Sequence, residues 1–207
     1  DYLPTFNRSN VTLVDTDGKG VERITEKGLV VDGVEYEVDC IIYSTGFEVG
    51  TSYTRRSGYY VIGREAKSLS DHWRDGTRSR NGMGSHGFPN VFIMNTSQGG
   101  FTANFPHLLD ESAVHQAHII AHALAQGYNT VEVTATAEEE WVDTIVGFTG
   151  GPLGGLGGPD CTPGYYNNEG QINPKPQNNM YGGGPIEFFS IMEKWRDQGN
   201  LEGLELK

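Results

Sequence analysis

Cysteine is scarce. The 207-residue chain holds two, Cys40 and Cys161. Two thiols cannot build the multi-bridge framework of a small secreted domain. Cys40 sits inside an apolar run and reads as a buried thiol. Cys161-Thr162-Pro163 has no histidine near it in sequence, so no nucleophilic role is assigned to it. Basic residues are also few, 15 Lys and Arg against 27 Asp and Glu, for a formal charge of -12. Nucleic-acid binding needs a basic face, and a membrane-surface helix needs a basic stripe. The longest basic cluster, Arg74, Arg78 and Arg80, is diluted by Asp75 and supplies neither. No apolar run has the length of a membrane span, and no signal-peptide pattern is present. The chain opens on Asp1-Tyr2-Leu3-Pro4 without an initiator methionine. The reading is a cytoplasmic chain, the C-terminal part of something longer.

Glycine is what the chain has in plenty, 29 residues, many of them between Gly147 and Gly184. That tract is expected to be loop. Gly82-Met83-Gly84-Ser85-His86-Gly87 spells G-x-G-x-x-G. A dinucleotide turn needs a buried strand before this pattern and a helix opening at its last glycine. Here polar Arg74–Asn81 precedes it, and Pro89 then Val91–Met94, a buried-strand candidate, follow it. The pattern therefore reads as a flexible loop entering a core strand.

Upstream, Val11–Val14, Val21–Thr25 and Gly28–Val31 are strand candidates, with a hairpin signal at Asp32-Gly33. Val34, Tyr36 and Val38 alternate with acids. Cys40–Tyr43 is continuously apolar, which predicts an exposed strand feeding one buried on both faces. It ends on Ser44-Thr45-Gly46, small residues that let a ligand or backbone approach. The strongest helix runs from Phe105 to Gln126, capped by Asn104, with Pro106 in its first turn and Gly127 at its end. Leu109, Ala113, Ala117, Ile120 and Leu124 form its expected buried stripe. His115, His118 and His122, with Glu111, lie on the opposite face and read as solvated rather than as a metal site. Asp71-His72-Trp73 reads as a surface helix end anchored by its tryptophan. A capping box at Thr136–Glu139 opens a second helix to about Val146, and a last helix runs from Pro185 to Gly199.

The order of elements suits an α/β nucleotide-binding domain with ligands beyond the strand ends. Particular stretches add a resemblance. VDCIIYSTGF is similar to the D-x-[IV]-[IV]-x-[AS]-T-G-[FY] segment of two-dinucleotide flavoproteins. Three further stretches resemble flavin-containing monooxygenases, most of all the Baeyer–Villiger type: GREAKSLSDHWRDGTRSRNGMGSHGFPNVFIM, ANFPHLLDESAVHQAHIIAHAL and CTPGYYNNEG. The resemblance implies the end of a Rossmann-like FAD domain over 1–128. A C-terminal tail over 129–207 would carry two helices and a lid-like Gly/Pro/Asn-rich loop. It implies FAD and NADPH as cofactors, O2 and a small ketone as substrates, an ester or lactone as product, and a missing N-terminal part holding both nucleotide turns. By resemblance, Thr45 and Gly46 lie against FAD, and Asn104 with Phe105 open the helix on the flavin side. Tyr165 and Tyr166 fall on the substrate or NADP side. No catalytic residue and no metal ligand is assigned. Asn95-Thr96-Ser97 departs from the Gly-Pro that many relatives carry after the strand. Oxygenation of nitrogen or sulfur, or a non-catalytic remnant of the fold, are the alternatives.

Overall fold

The computed structural model describes residues 2–44, 46, 53–148 and 175–207. They fall into two compact units, Asp1–Gly46 and Phe47–Lys207.

The first unit holds a short helix α1 (Tyr2–Thr5) and an antiparallel meander of β1 (Arg23–Ile24), β2 (Gly28–Val31) and β3 (Val34–Glu37). Asp32 and Gly33 both take positive φ, 47° and 76°. That is the two-residue hairpin turn their identities predict, and it sets Val31 opposite Val34. Gly28 has no room for a side chain, since a Cβ there would run into the Tyr36 carbonyl. Val30 and Val31 are buried, so β2 is covered on both faces.

Two expectations fail in this unit. Val11–Val14 forms no strand. Cys40–Tyr43 is neither a strand nor buried: Cys40 is exposed, and Ile42 is 84% exposed. A strand is buried on both faces when it is paired within a sheet and other layers cover that sheet above and below. Among the described residues nothing pairs with this one.

The second unit begins with α2 (Tyr53–Ser57), a 3-10 turn at Arg64–Ala66 and α3 (Leu69–His72), capped by the Ser68 side chain. A long irregular segment leads to α4 (Phe105–Ala125). Then come β4 (Val131–Val133), α5 (Ala135–Gly147), a 3-10 turn at Pro176–Asn178, α6 (Pro185–Gln198) and β5 (Leu204–Leu206). β5 returns antiparallel to β4, with Val131 opposite Leu206. Both sheets are antiparallel, so the described residues make a mixed α/β fold without a parallel sheet. α6 ends as expected, with Gly199 in the left-handed region at φ 67°.

The core of this unit forms where α4, α5 and α6 meet. Leu108, Trp141, Ile145, Phe188 and Met192 pack together, and Trp141 stacks on Tyr181 at 5.6 Å. A second cluster joins Ile119, Ala123, Val131, Trp195 and Leu201. Burying such side chains stabilises by about 1.5–3 kcal/mol each.

α4 buries a different face from the expected one. Leu108, Ser112, His115, Gln116, Ile119 and Ala123 point inward, while Ile120 is exposed and Leu124 is 69% exposed. Periodicity locates apolar residues on a helix, but it does not say which face meets a neighbour. Here His115 packs against the Trp195 ring of α6 and Gln116 donates to Ile93 O, so the buried face mixes polar and apolar residues. For α5 the cap is Thr134, two residues before the expected one, and its hydroxyl accepts from Ala137 N at 3.2 Å. Thr136 and Glu139 therefore form no capping box at the helix start, and Glu138 is buried in the interior. Val91–Met94 forms no strand, and only Ile93 is buried. Its one cross-bond of strand type runs from Ile93 N to Met83 O at 2.8 Å.

Candidate cofactor-side loop and helix

The expected site residues divide by position. Thr45, Tyr165 and Tyr166 lie outside the described residues, as does Cys161. Gly46 closes the first unit at φ 75°, with open space where a Cβ would stand. Asn104 and Phe105 belong to the second unit and open α4.

Asn104 caps that helix through its own side chain. Its Oδ1 accepts from His107 N at 3.4 Å, and its own N–H donates to Thr102 Oγ1 at 3.3 Å. Phe105 is exposed beside it. Capping satisfies one first-turn donor and leaves the helix end positive. An exposed ring next to such an end suits one edge of a flat, electron-rich partner.

Gly82, Gly84 and Gly87 do not form a nucleotide turn. No helix follows them. Instead, Arg80 and Gly84 pair as a bridge, and Met83, Ser85 and Phe88 are buried. The loop is thus core structure, not a flexible lead-in. Its glycines serve packing: a Cβ on Gly82 would meet Ser97 O and Gly99 N at 3.1 Å, and one on Gly84 would meet Val133 Cγ2 at 3.0 Å. The described residues hold no glycine-rich turn between a strand and a helix that could cradle a pyrophosphate: β4 passes to α5 through Thr134 alone.

Two buried carboxylates tie the segment before α4 to β4 and α5. Glu138, 2% exposed, accepts from His72 Nε2 at 3.0 Å, Arg78 Nε at 3.3 Å and His86 N at 2.9 Å. Glu132 accepts from Arg64 Nε at 2.8 Å and Gly87 N at 2.9 Å. Burial alone would raise both pKa values. The hydrogen bonds from His72 and His86 N to Glu138, and from Arg64 and Gly87 N to Glu132, outweigh it and leave both below the ordinary value. His72 is thus not a surface group, and its partner was invisible in sequence because 66 residues separate them. Trp73 anchors as expected, donating to Arg78 O at 2.7 Å.

His115 is 4% exposed rather than solvated. Its ring lies 4.9 Å from that of Trp195, and Arg196 Nη1 stands 3.5 Å from its Nδ1. Burial first, then the charges of Arg196, His118 and Arg80, push its pKa down to about 4. No group of three or more potential metal ligands stands together among the described residues. Nor is any helix there long and apolar enough to cross a membrane.

A cavity of about 280 Å³ opens beside the loop, lined by Tyr53, Ser57, Tyr59, Ile93, Met94 and Asn95. The two tyrosine hydroxyls meet at 2.9 Å across its wall. Sequence reasoning had no signal for it, since its lining is split between two segments about 35 residues apart.

No family model matches the chain. Individual proteins do. Pentalenolactone D synthase of Streptomyces arenae is 46% identical over 209 residues, covering 100% of this chain and 35% of that protein. Baeyer–Villiger monooxygenase 4 of Dietzia sp. strain D5 is 41% identical, covering 99% of this chain and 33% of its own length. Among solved structures, the polycyclic ketone monooxygenase of Thermothelomyces thermophila superposes with a TM-score of 0.87 at 35% identity, over 100% of this chain and 34% of that one. Over its whole length the chain is similar in sequence and in fold to Baeyer–Villiger monooxygenases, and it spans about a third of theirs.

Proposed function

We propose that the whole protein is an FAD- and NADPH-dependent monooxygenase that inserts one oxygen of O2 into a ketone, giving an ester or lactone and water. The observation that carries this reading is the match over the whole of this chain at 46% identity, with a TM-score of 0.87 to a ketone monooxygenase. FAD, when bound, would supply the activation of O2 with electrons taken from NADPH.

This chain's part is positional. Residues 1–128 would complete the FAD domain, with Thr45 and Gly46 against the cofactor and Asn104 and Phe105 on its flavin side. Residues 129–207 would form the substrate-side tail, with Tyr165 and Tyr166 facing ketone or NADP. The capped end of α4 offers a fixed positive pole, and the exposed Phe105 ring excludes water from whatever lies over it. The pyrophosphate cradles belong to the remaining two thirds of the protein, so this chain alone would be inactive and would not hold FAD through gel filtration.

The test has two arms. The intact protein, given NADPH, O2 and a panel of cyclic and polycyclic ketones, should form ester or lactone, detected by mass as substrate plus one oxygen. Oxygenation only of amines or sulfides would move the reading to a heteroatom oxygenase. Bound FAD without any NADPH oxidation would make the fold a non-catalytic remnant. In the second arm, the 207-residue chain should elute colourless; flavin near one equivalent would defeat the division of labour.

A further inference from the structure

Gln98 lies in the turn that leads to α4, six residues before its cap, and it is 0% exposed. Its backbone takes φ 61°, a left-handed conformation that a non-glycine residue holds only when its surroundings fix it. Every polar group it owns is used. Oε1 accepts from Ser79 N at 2.9 Å and from Ser79 Oγ at 2.7 Å. Nε2 donates to Thr77 O at 2.6 Å and to Gln177 O at 3.1 Å. Its backbone N–H donates to Asn179 O at 2.7 Å, and its carbonyl accepts from Trp141 Nε1 at 2.9 Å. The amide cannot be turned over. Ser79 N can only donate, and the Thr77 and Gln177 carbonyls can only accept, so each side of the amide has one permitted partner set.

Neighbouring bonds extend the same junction. Tyr181 N donates to Gly99 O at 2.9 Å, and Asn178 Oδ1 accepts from Thr77 N at 2.9 Å. A single side chain thus registers three segments that are far apart in sequence: Thr77–Ser79, the turn at Gln98, and Gln177–Tyr181. A generic core position would be filled by an apolar residue at lower desolvation cost. A glutamine with all its bonds made specifies geometry as well as packing.

We infer that Gln98 is a positioning residue. It sets the path of Gly99–Ala103 and so the place at which Asn104 and Phe105 present the start of α4. It touches neither cofactor nor substrate. The inference rests on the reading of Asn104 and Phe105 as flavin-side residues, but the geometry of the junction is independent of it.

Two substitutions in the intact protein test this. Gln98→Met keeps the volume and removes all four side-chain bonds. Gln98→Glu keeps the acceptor toward Ser79 and turns an oxygen toward two carbonyls. Hydrogen exchange should show Ser79 N–H opening at least tenfold faster in Gln98→Met and near wild type in Gln98→Glu. Both variants should exchange faster across residues 99–107. In turnover with ketone, both should release at least threefold more peroxide per NADPH oxidised, with NADPH oxidation within twofold and FAD content unchanged. A folded Gln98→Met with unchanged exchange over 99–107 and unchanged coupling would overturn the inference. So would loss of folding in both variants, which would make Gln98 an ordinary core residue. Wild-type protein that neither binds FAD nor oxidises NADPH would sink the functional reading instead, while the exchange arm would still decide on Gln98.

Discussion

Lowering the pH from 7.5 to 4.5 should destabilise the protein through His115 before Glu132 or Glu138 contributes. The folded protein holds His115 neutral down to about pH 4, whereas the ordinary value is 6.5. Between those two values the unfolded chain binds a proton that the folded chain refuses. Stability is therefore full above 6.5 and is lost progressively as pH falls toward 4. One proton is worth about 1.4 kcal/mol per pH unit, so the loss approaches about 3 kcal/mol across the interval. Glu132 and Glu138 act in a lower window. Their folded pKa values lie below 4.5, so their contribution fades only as pH drops beneath that value. The assay is a series of urea unfolding curves on wild type and His115→Gln. From pH 6.5 to pH 5, wild type should lose about 2 kcal/mol more than the variant. Parallel pH profiles for the two would refute the reasoning, because the buried ring would then not be the group that resists protonation.

Glu138→Ala should cost about 3–5 kcal/mol, since it leaves His72, Arg78 and the His86 N–H without their common acceptor. Scanning calorimetry at pH 7 would read this as a large drop in midpoint, and the gap to wild type should narrow below pH 4.5. Gly203→Ala should be among the worst glycine substitutions at the described residues. Its φ of 83° costs an alanine about 1–2 kcal/mol, and the new Cβ would collide with the Arg80 guanidinium and approach Ala137 Cβ to 2.7 Å. Displacing them adds about 1–3 kcal/mol, and a midpoint within 2 °C of wild type would show that the loop simply moves aside.

Local chemistry written into short stretches could be read directly. The Asp32-Gly33 turn, the Asn104 cap, the end of α4 at Gly127 and the span of α6 each depend on a few adjacent residues, and each is where the sequence puts it. So was the rejection of Gly82–Gly87 as a nucleotide turn, because that motif works only with a helix after it. What the sequence could not show depends on partners distant along the chain. The buried face of α4 was decided by Trp195 and Arg196 on another helix, which made His115 an interior residue. Glu132 and Glu138 became buried acceptors because arginines, a histidine and backbone N–H groups 45 or more residues away converge on them. Gln98 is one polar residue in a polar loop until Ser79, Thr77 and Gln177 are brought around it. Periodicity and capping are set by neighbours a turn apart, whereas burial of a polar group is settled only when the folded chain supplies its hydrogen bonds.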